Sequence, residues 1–216
     1  MAGNLTRDEA RERARILDVA SYSVDLDLTT GDQTFRSSTV VRFTCAEPGT
    51  DTFIDLTAPA VRSVVLNGRE LDPAEVFDGE RIALPGLEPD NELRVLADAA
   101  YMRTGEGLHR FVDPVDGGIY LYTQFETADA HRMYACFDQP GLKATFELAV
   151  VAPADFEVVS NSAPDVSGEA VDGRAGEKVR WHFPATEPIS TYITALIAGP
   201  YHVVRDEHDG IPRGVY

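Results

Sequence analysis

Gln124 and Glu126 are the residues of this sequence whose types and spacing suggest binding chemistry. The run from Ile119 to Phe125 predicts a β-strand, and side chains two residues apart on a strand share a face. A carboxylate beside an amide at a strand end could hold an ammonium group, because the carboxylate supplies charge and acceptors and the amide supplies an oriented carbonyl. From spacing alone, the simpler alternative is that Glu126 caps the turn predicted over Thr127 to Met133.

The segment that contains this pair differs from the rest of the chain. From Thr104 to Gly141 the sequence is dense in glycine, aromatic and charged residues, and it alternates cleanly only near Gln124. Such departures from local rules are typical of functional sites. Within the segment we expect His109 to be packed or hydrogen-bonded, and His131 and Arg132 to lie on a short helix and form salt bridges.

His202 and His208 are the closest pair of histidines, with Asp206, Glu207 and Asp209 beside them. They are six residues apart, whereas two metal ligands on one face of a helix need a spacing of four. We therefore expect a solvated turn here and predict no metal site in this sequence.

The two cysteines, Cys45 and Cys136, form no C-x-x-C pair. This spacing excludes a zinc knuckle and a disulfide framework. Cys136 stands between Ala135 and Phe137, so we expect a small core residue and not a nucleophile. Unpaired cysteines favour a reducing, cytoplasmic setting.

The charge balance restricts the classes of partner. With 36 acidic and 19 basic residues the net charge is -17, which argues against binding nucleic acid or an anionic membrane, because both require clustered Lys and Arg. No apolar run is long enough for a transmembrane helix, and the charged stretch Met1 to Ala20 lacks the apolar core of a secretory signal. We expect no nucleic-acid and no membrane partner, and a cytoplasmic location.

Two periodicities divide the chain. Thr6 and Glu9 have capping-box spacing, and the following residues to Leu17 are good helix formers, so residues 1–18 are predicted to be a helical segment. From Val19 onward apolar and polar residues alternate, which predicts one β-domain over residues 19–216. Clear strand patterns cover Tyr22–Leu28, Phe35–Phe43, Phe53–Leu56, Val61–Leu66, Leu93–Ala97, Ala144–Val150 and Val179–Phe183.

Turn residues between these strands indicate the architecture. Asn67-Gly68 and Asp78-Gly79 are typical of two-residue hairpins. Ile189 to Ala198 is apolar on both faces and predicts a central, covered strand, while Ser162 to Gly176 predicts a long hairpin loop. Short strands with regular turns indicate an all-β fold, a curved sandwich with many strands, preceded by a short helix.

Longer stretches of the sequence resemble a known family. The runs GEGLHRFVDP and YLYTQFETADAHRMYACFDQPGLKATFEL, together with YSVDLDL, VVLNG and ISTYITALIAGPY, resemble the aminopeptidase N family of zinc metallopeptidases, and its bacterial, actinobacterial-type members in particular. The resemblance covers the chain from about Val19 onward. It implies a saddle-like N-terminal β-domain that packs against a separate catalytic domain.

The resemblance also implies roles for residues. Gln124 and Glu126 match the family's Q-x-E motif, in which the Glu binds the free α-amino group of the substrate and the Gln lines the pocket for the first side chain. A cis peptide bond is implied between Glu126 and Thr127. The partners implied are peptides, bound through the free N-terminal amine, and the catalytic domain of the same chain.

The family's zinc motif, H-E-x-x-H, and its second amine-binding motif, G-x-M-E-N, are both absent from this sequence. We therefore expect an N-terminal domain cut off before the zinc ligands: zinc would be the cofactor of the full-length enzyme, and this fragment would bind none and be inactive. Its uncovered face should show an apolar patch or weak self-association.

A noncatalytic β-sandwich that serves as a scaffold or interaction module is the alternative. The pair Gln124 and Glu126 argues against it, because a scaffold has no need of an amine-binding carboxylate. An H-E-x-x-H motif in the gene beyond Tyr216 would decide for the enzyme.

Overall fold

Residues 5–171 and 177–215 are described by the structure, a computed structural model of the chain. The start of the predicted helical segment (residues 1–4), part of the predicted loop (residues 172–176) and Tyr216 lie outside these ranges. Among the described residues, every helix is too short or too polar to cross a membrane.

The first helix, α1 (Arg7–Ile16), begins as its sequence predicts. The backbone N–H of Glu9 donates to Oγ1 of Thr6 at 3.2 Å, and the N–H of Thr6 donates to the Glu9 carboxylate at 2.8 Å. This reciprocal capping box satisfies two backbone donors that the helix leaves free. The hydrogen bond from Thr6, followed by that from Arg81, lowers the pKa of Glu9 to about 2.

An eight-stranded sheet forms the larger layer, in the order β12-β13-β10-β1-β2-β7-β4-β5. Tyr22, Val24 and Leu26 on β1 are buried and the residues between them are not, which confirms the predicted alternation. The strands are β1 (Leu17–Asp27), β2 (Thr34–Cys45), β4 (Ala60–Leu66), β5 (Arg69–Leu71), β7 (Asp90–Ala100), β10 (Thr145–Pro153), β12 (Val166–Ala170) and β13 (Lys178–Phe183).

A long-range parallel pairing lies near the centre of this sheet. β1 runs parallel to β10, with Tyr22 opposite Phe146, whereas the other pairings in the sheet are antiparallel. The rings of Tyr22 and Phe146 stack at 4.7 Å. A parallel pair needs a crossover connection, and the connection from β1 to β10 contains the strand that ends at Gln124.

The second sheet has four strands in the order β11-β14-β9-β8 and positions the candidate site at the end of β9. Its strands are β8 (Gly107–Val112), β9 (Ile119–Gln124), β11 (Glu157–Ser160) and β14 (Leu196–Gly199). Two separate pairs are β3 (Thr52–Asp55) with β6 (Arg81–Leu84), and β15 (Val204–His208) with β16 (Ile211–Val215). The all-β fold class with a short N-terminal helix is confirmed.

The predicted strand over Ile189 to Ala198 is wrong in its first half. Thr191–Ile193 form a 3-10 helix, and the strand is limited to β14. The hydroxyl of Ser190 donates to the carbonyl of Pro140 at 2.7 Å, and Thr194 Oγ1 lies 2.8 Å from the hydroxyl of Tyr134. These long-range polar contacts favour the helical turn over the extended chain that the apolar pattern indicated.

The turn predictions have a mixed outcome. Asn67-Gly68 closes the β4–β5 hairpin with both residues at positive φ, as predicted. Asp78-Gly79 closes only a single bridge between Phe77 and Ile82, because the preceding Pro73–Val76 forms a one-turn helix, α2. The predicted loop over Ser162 to Gly176 is wrong in part, since it contains the edge strand β12.

Candidate functional site

Gln124 and Glu126 lie where β9 ends and a turn begins. Both are exposed, and Phe125 between them is 2% exposed and anchors the end of the strand in the core. The peptide bond between Glu126 and Thr127 is cis, as the resemblance implies. The structure therefore presents an amide and a carboxylate to the surface from one short segment.

The carboxylate of Glu126 is available for a ligand. Among the described residues no hydrogen bond or ion pair holds it, and the 3-10 helix that follows, Ala130–Arg132, has Asp129 at its N-cap and no side-chain cap. The turn is closed instead by the backbone N–H of Asp129, which donates to the carbonyl of Phe125 at 3.0 Å. The structure does not show the capping role that spacing alone favoured for Glu126.

Gly107 on β8 faces Gln124 across the ladder. It has a φ of +61°, and a Cβ there would lie 3.0 Å from both Arg132 Cβ and Met102 Cγ. A side chain at this position would push Arg132 away from β8. The glycine thus allows the segment after Glu126 to pack closely on the strand beside Gln124.

Tyr122 extends the exposed face of β9 beyond Gln124. It is 40% exposed and its ring lies 4.8 Å from the ring of His109 on β8. Nδ1 of His109 accepts the N–H of Gly105 at 3.0 Å, which confirms that this histidine is packed and hydrogen-bonded. An aromatic ring, an amide and a carboxylate therefore follow one another at exposed positions of one segment, a combination able to contact an apolar side chain and an amino group.

The short helix predicted around His131 and Arg132 is confirmed as a 3-10 turn over Ala130–Arg132. Nε of Arg132 donates to the Asp129 carboxylate at 2.6 Å, and its guanidinium lies 3.6 Å from Glu106. The predicted salt bridges are present, and they join the turn to itself and to the loop before β8.

A buried carboxylate, Asp138, holds the other side of this turn. Its side chain is 2% exposed, and it accepts the backbone N–H of His131 at 3.2 Å and Nδ1 of His131 at 2.8 Å. Its second oxygen accepts the hydroxyl of Thr191 at 2.8 Å. Three donors compensate the burial of this charge.

The polar network continues to α1. The backbone N–H of Asp138 donates to Oδ2 of Asp55 at 3.0 Å, and Arg13 donates to the same oxygen at 2.8 Å. Sequence reasoning missed these three residues. A carboxylate inside the apolar run Phe53–Leu56 was a signal for Asp55, since a charge in such a run needs a buried partner, but no local signal identified Arg13 or Asp138 as that partner.

The remaining candidates lie apart from this network. His208 is on β15 and His202 just before it, both exposed; the predicted solvated turn is limited to Asp209 and Gly210, because Asp206 and Glu207 belong to the strand. Within residues 5–171 and 177–215, no group of three or more His, Cys, Asp and Glu could hold a metal ion. Cys45 and Cys136 are buried and form no disulfide. Burial, and then the nearby Asp138 carboxylate, raises the pKa of the Cys136 thiol.

Comparisons with known proteins give one consistent match. The model of the Peptidase M1 N-terminal domain matches residues 19–193. Aminopeptidase N of Streptomyces lividans is 56% identical over 99% of this chain and 25% of its own length. Human Aminopeptidase N is 27% identical over 95% of this chain and 24% of its own, and a probable M1 family aminopeptidase of Encephalitozoon cuniculi is 32% identical over 72% of this chain and 20% of its own. The chain spans a quarter or less of the length of these three relatives.

Proposed function

The chain belongs to the peptidase M1 N-terminal domain family, in its actinobacterial aminopeptidase N type, and from this premise we propose that it anchors the N-terminus of peptide substrates for a larger aminopeptidase. Glu126 binds the free α-amino group, and Gln124 lines the pocket for the first side chain. The parent enzyme then removes N-terminal residues from peptides. The observation that carries this proposal is the exposed Glu126 carboxylate, for which the described residues provide no partner.

An aminopeptidase must recognise the first residue of its substrate, and Glu126 offers a physical means of doing so. Once a substrate covers the carboxylate, only a free ammonium compensates its loss of water. A blocked or internal amide would leave the charge unpaired, at a cost of about 1–3 kcal/mol or more. The carboxylate therefore selects chain ends by charge, while Gln124 contributes an oriented carbonyl and amide beside it.

Zinc is proposed as the cofactor of the parent protein, held by residues outside these 216. The sequence contains no H-E-x-x-H, and the described residues offer no group of ligands that fits the ion. When bound, zinc would polarise the scissile carbonyl and activate water. The role of this chain is to bind and orient the substrate's amine.

It follows from this division of roles that the 216-residue chain alone is inactive. We expect it to bind no stoichiometric zinc and to release no product from leucine p-nitroanilide. Hydrolysis at a rate approaching that of the full-length enzyme, or one tightly bound zinc per chain, would contradict this.

Glu126→Gln in the full-length enzyme tests the anchor directly. The substitution keeps the shape of the side chain and removes its charge, so kcat/KM for leucine p-nitroanilide should fall on the order of a hundredfold. Glu70→Gln, an exposed glutamate on β5, is the matched control and should leave kcat/KM unchanged. An unchanged kcat/KM in Glu126→Gln would refute the role of Glu126.

Three further proposals concern the partners, the cellular location and the domain division of the chain. The partners are peptides with a free N-terminus and the rest of the same chain. A cytoplasmic location is supported by the two cysteines, which are buried and form no disulfide. The division into a helical segment at 1–18 and a single β-domain over 19–216 stays a prediction.

A further inference from the structure

We propose that His131 and Asp138 are positioning residues for the amine anchor: they fix the turn that follows Glu126 and thereby the place of its carboxylate. This inference rests on the proposed role of Glu126. It assigns a function to a buried polar network that the substrate itself does not touch.

The turn after Glu126 has little packing of its own. Thr127 to Asp129 line an open hollow of about 640 Å³, and Thr127 and Ala128 are exposed. Only the two ends of the turn are fixed in the core, by Phe125 at 2% and Ala130 at 0% exposure. Because apolar contacts restrain the turn so little, its position depends on polar contacts just beyond it.

His131 supplies three of these contacts, to two partners. Its backbone N–H and its Nδ1 both donate to Asp138, at 3.2 and 2.8 Å. Its carbonyl accepts the N–H of Thr57 at 2.9 Å. The backbone and the side chain of one residue are thus held by a carboxylate and by the segment after β3.

Asp138 can hold His131 in place because hydrogen bonds from other segments of the chain fix the position of Asp138 itself. Thr191 donates to its free oxygen at 2.8 Å, and its backbone N–H is held by Asp55, which in turn is paired with Arg13 of α1 at 2.8 Å. A chain of hydrogen bonds therefore runs from the first helix to the turn of Glu126. The side chains of His131, Asp138 and Asp55 in this network are 20%, 2% and 12% exposed, and a largely buried network of directional hydrogen bonds rigidifies the groups that it joins.

The function of such rigidity follows from the chemistry of an exopeptidase. The amine anchor selects the first residue only if its distance from the cleavage site is constant, and misplacement by about 1 Å can cost on the order of a hundredfold in rate. Loss of the His131 contact should leave Glu126 charged and present but less well placed. Amine recognition should therefore fall while the enzyme stays folded.

The experiment compares His131→Leu with His131→Asn in the full-length enzyme. Asparagine places an amide N–H where histidine has Nδ1, so it can keep the bond to Asp138, and leucine cannot. The readout is the ratio of inhibition constants of 4-methyl-1-pentanol and L-leucinol, which differ only in the amine. We expect His131→Leu to lower this ratio on the order of tenfold and His131→Asn to stay within about twofold of the wild type.

A matched control separates positioning from general loss of stability. His182 on β13 likewise bonds to carboxylates, those of Asp165 and Glu147, but it lies in the eight-stranded sheet, whereas Glu126 follows a strand of the four-stranded sheet. His182→Leu should leave the ratio unchanged. If it lowers the ratio as much as His131→Leu does, or if His131→Leu leaves the ratio at its wild-type value, the proposal is overturned.

Glu126→Gln distinguishes failure of this inference from failure of the proposed function. If Glu126→Gln leaves the ratio unchanged, the proposed function fails. If Glu126→Gln lowers the ratio and His131→Leu leaves it at its wild-type value, the positioning inference alone fails. Should His131→Leu not fold, Thr191→Val removes one donor to Asp138 and is expected to lower the ratio two- to threefold, on the order expected for one lost hydrogen bond. An unchanged ratio in that variant overturns the inference.

Discussion

Arg13 and Asp55 form an ion pair that is almost removed from water, with 2% and 12% of their side chains exposed. The pair is supported by the N–H of Asp138 and by the ring of Phe53, which lies 4.9 Å from the guanidinium. Nη2 of Arg13 has no hydrogen-bond partner within the described residues. Such a pair adds little net stability over apolar residues, but removing one partner leaves a buried charge unpaired.

We predict that Arg13→Met lowers the free energy of unfolding by about 3 kcal/mol, because Asp55 loses its closest cation. Urea denaturation of the 216-residue chain measures this. Adding Asp55→Asn to Arg13→Met should recover a large part of the loss, since the buried carboxylate that lost its closest cation is then replaced by a neutral amide.

Arg11→Met is the matched control, on the same helix. Its side chain is 67% exposed and lies 3.9 Å from Asp8, so the change should cost less than about 0.5 kcal/mol. Equal losses for Arg11→Met and Arg13→Met would show that the buried pair has no special role.

At the scale of elements, strands whose two faces differ could be predicted from the sequence. β1 is the clearest case, because Tyr22, Val24 and Leu26 face the core and the serines and aspartates between them face water. The capping box of α1 and the Asn67-Gly68 hairpin were also predictable, since each depends on residues only a few positions apart. Local patterns were sufficient wherever local interactions decide the structure.

Elements decided by distant contacts could not be predicted in this way. The parallel pairing of β1 with β10 joins Tyr22 to Phe146, and no turn residue specifies it. The 3-10 helix at Thr191–Ile193 depends on partners such as Tyr134 far along the chain. An apolar segment with no clear period is compatible with a strand or a helical turn until those partners are known.

The residues of the candidate site also divide into those that local patterns could predict and those that distant contacts decide. Gln124 and Glu126 could be placed at a strand end from their spacing, and the family resemblance suggested their role. The network behind them could not, because Arg13, Asp55 and Asp138 meet only when α1, β3 and the segment after the turn come together. Residues that touch a ligand leave a motif in the sequence more readily than residues that position them.

His182 bonds to Asp165, the residue that precedes the edge strand β12, and we predict that the contribution of His182 to stability depends on pH. Asp165, at 2.6 Å, and then Glu147, at 2.8 Å, raise the pKa of His182. A raised pKa means that the folded state binds the proton more tightly, so the stabilisation is complete below the unfolded pKa of about 6.5 and is lost as the pH rises through the folded value.

The measurement compares the wild type with His182→Gln by urea denaturation at about pH 6 and about pH 9, on either side of the expected transition. The difference in unfolding free energy between the two proteins should be larger at the lower pH. His202→Gln, a change at an exposed histidine, should show no such dependence. A difference that grows toward the higher pH would contradict the assigned protonation.

At the scale of the whole molecule, two opposing features act on contacts between copies of the chain. The net charge of -17 repels other copies. The β15–β16 hairpin opposes this with an exposed apolar stripe that is interrupted once: Val204 pairs directly with Val215, and Ile211 lies on the same face beyond the Asp206–Arg213 pair. The three side chains are 56%, 70% and 62% exposed respectively.

We predict weak self-association of the 216-residue chain that strengthens with salt. The Debye length falls from about 30 Å at 0.01 M salt to about 3 Å at 1 M, which removes the repulsion and leaves the apolar stripe free to associate. Sedimentation velocity at the two salt concentrations measures this.

Val204→Thr with Ile211→Thr should reduce association at high salt without changing the thermal midpoint. Val115→Thr, at a residue that is 91% exposed in another part of the chain, should leave association at high salt unchanged. Association that weakens with salt would show that charge pairs and not apolar contacts join the copies. A monomer at both concentrations would show that the stripe is too small to compensate the translational and rotational entropy that two chains lose on association.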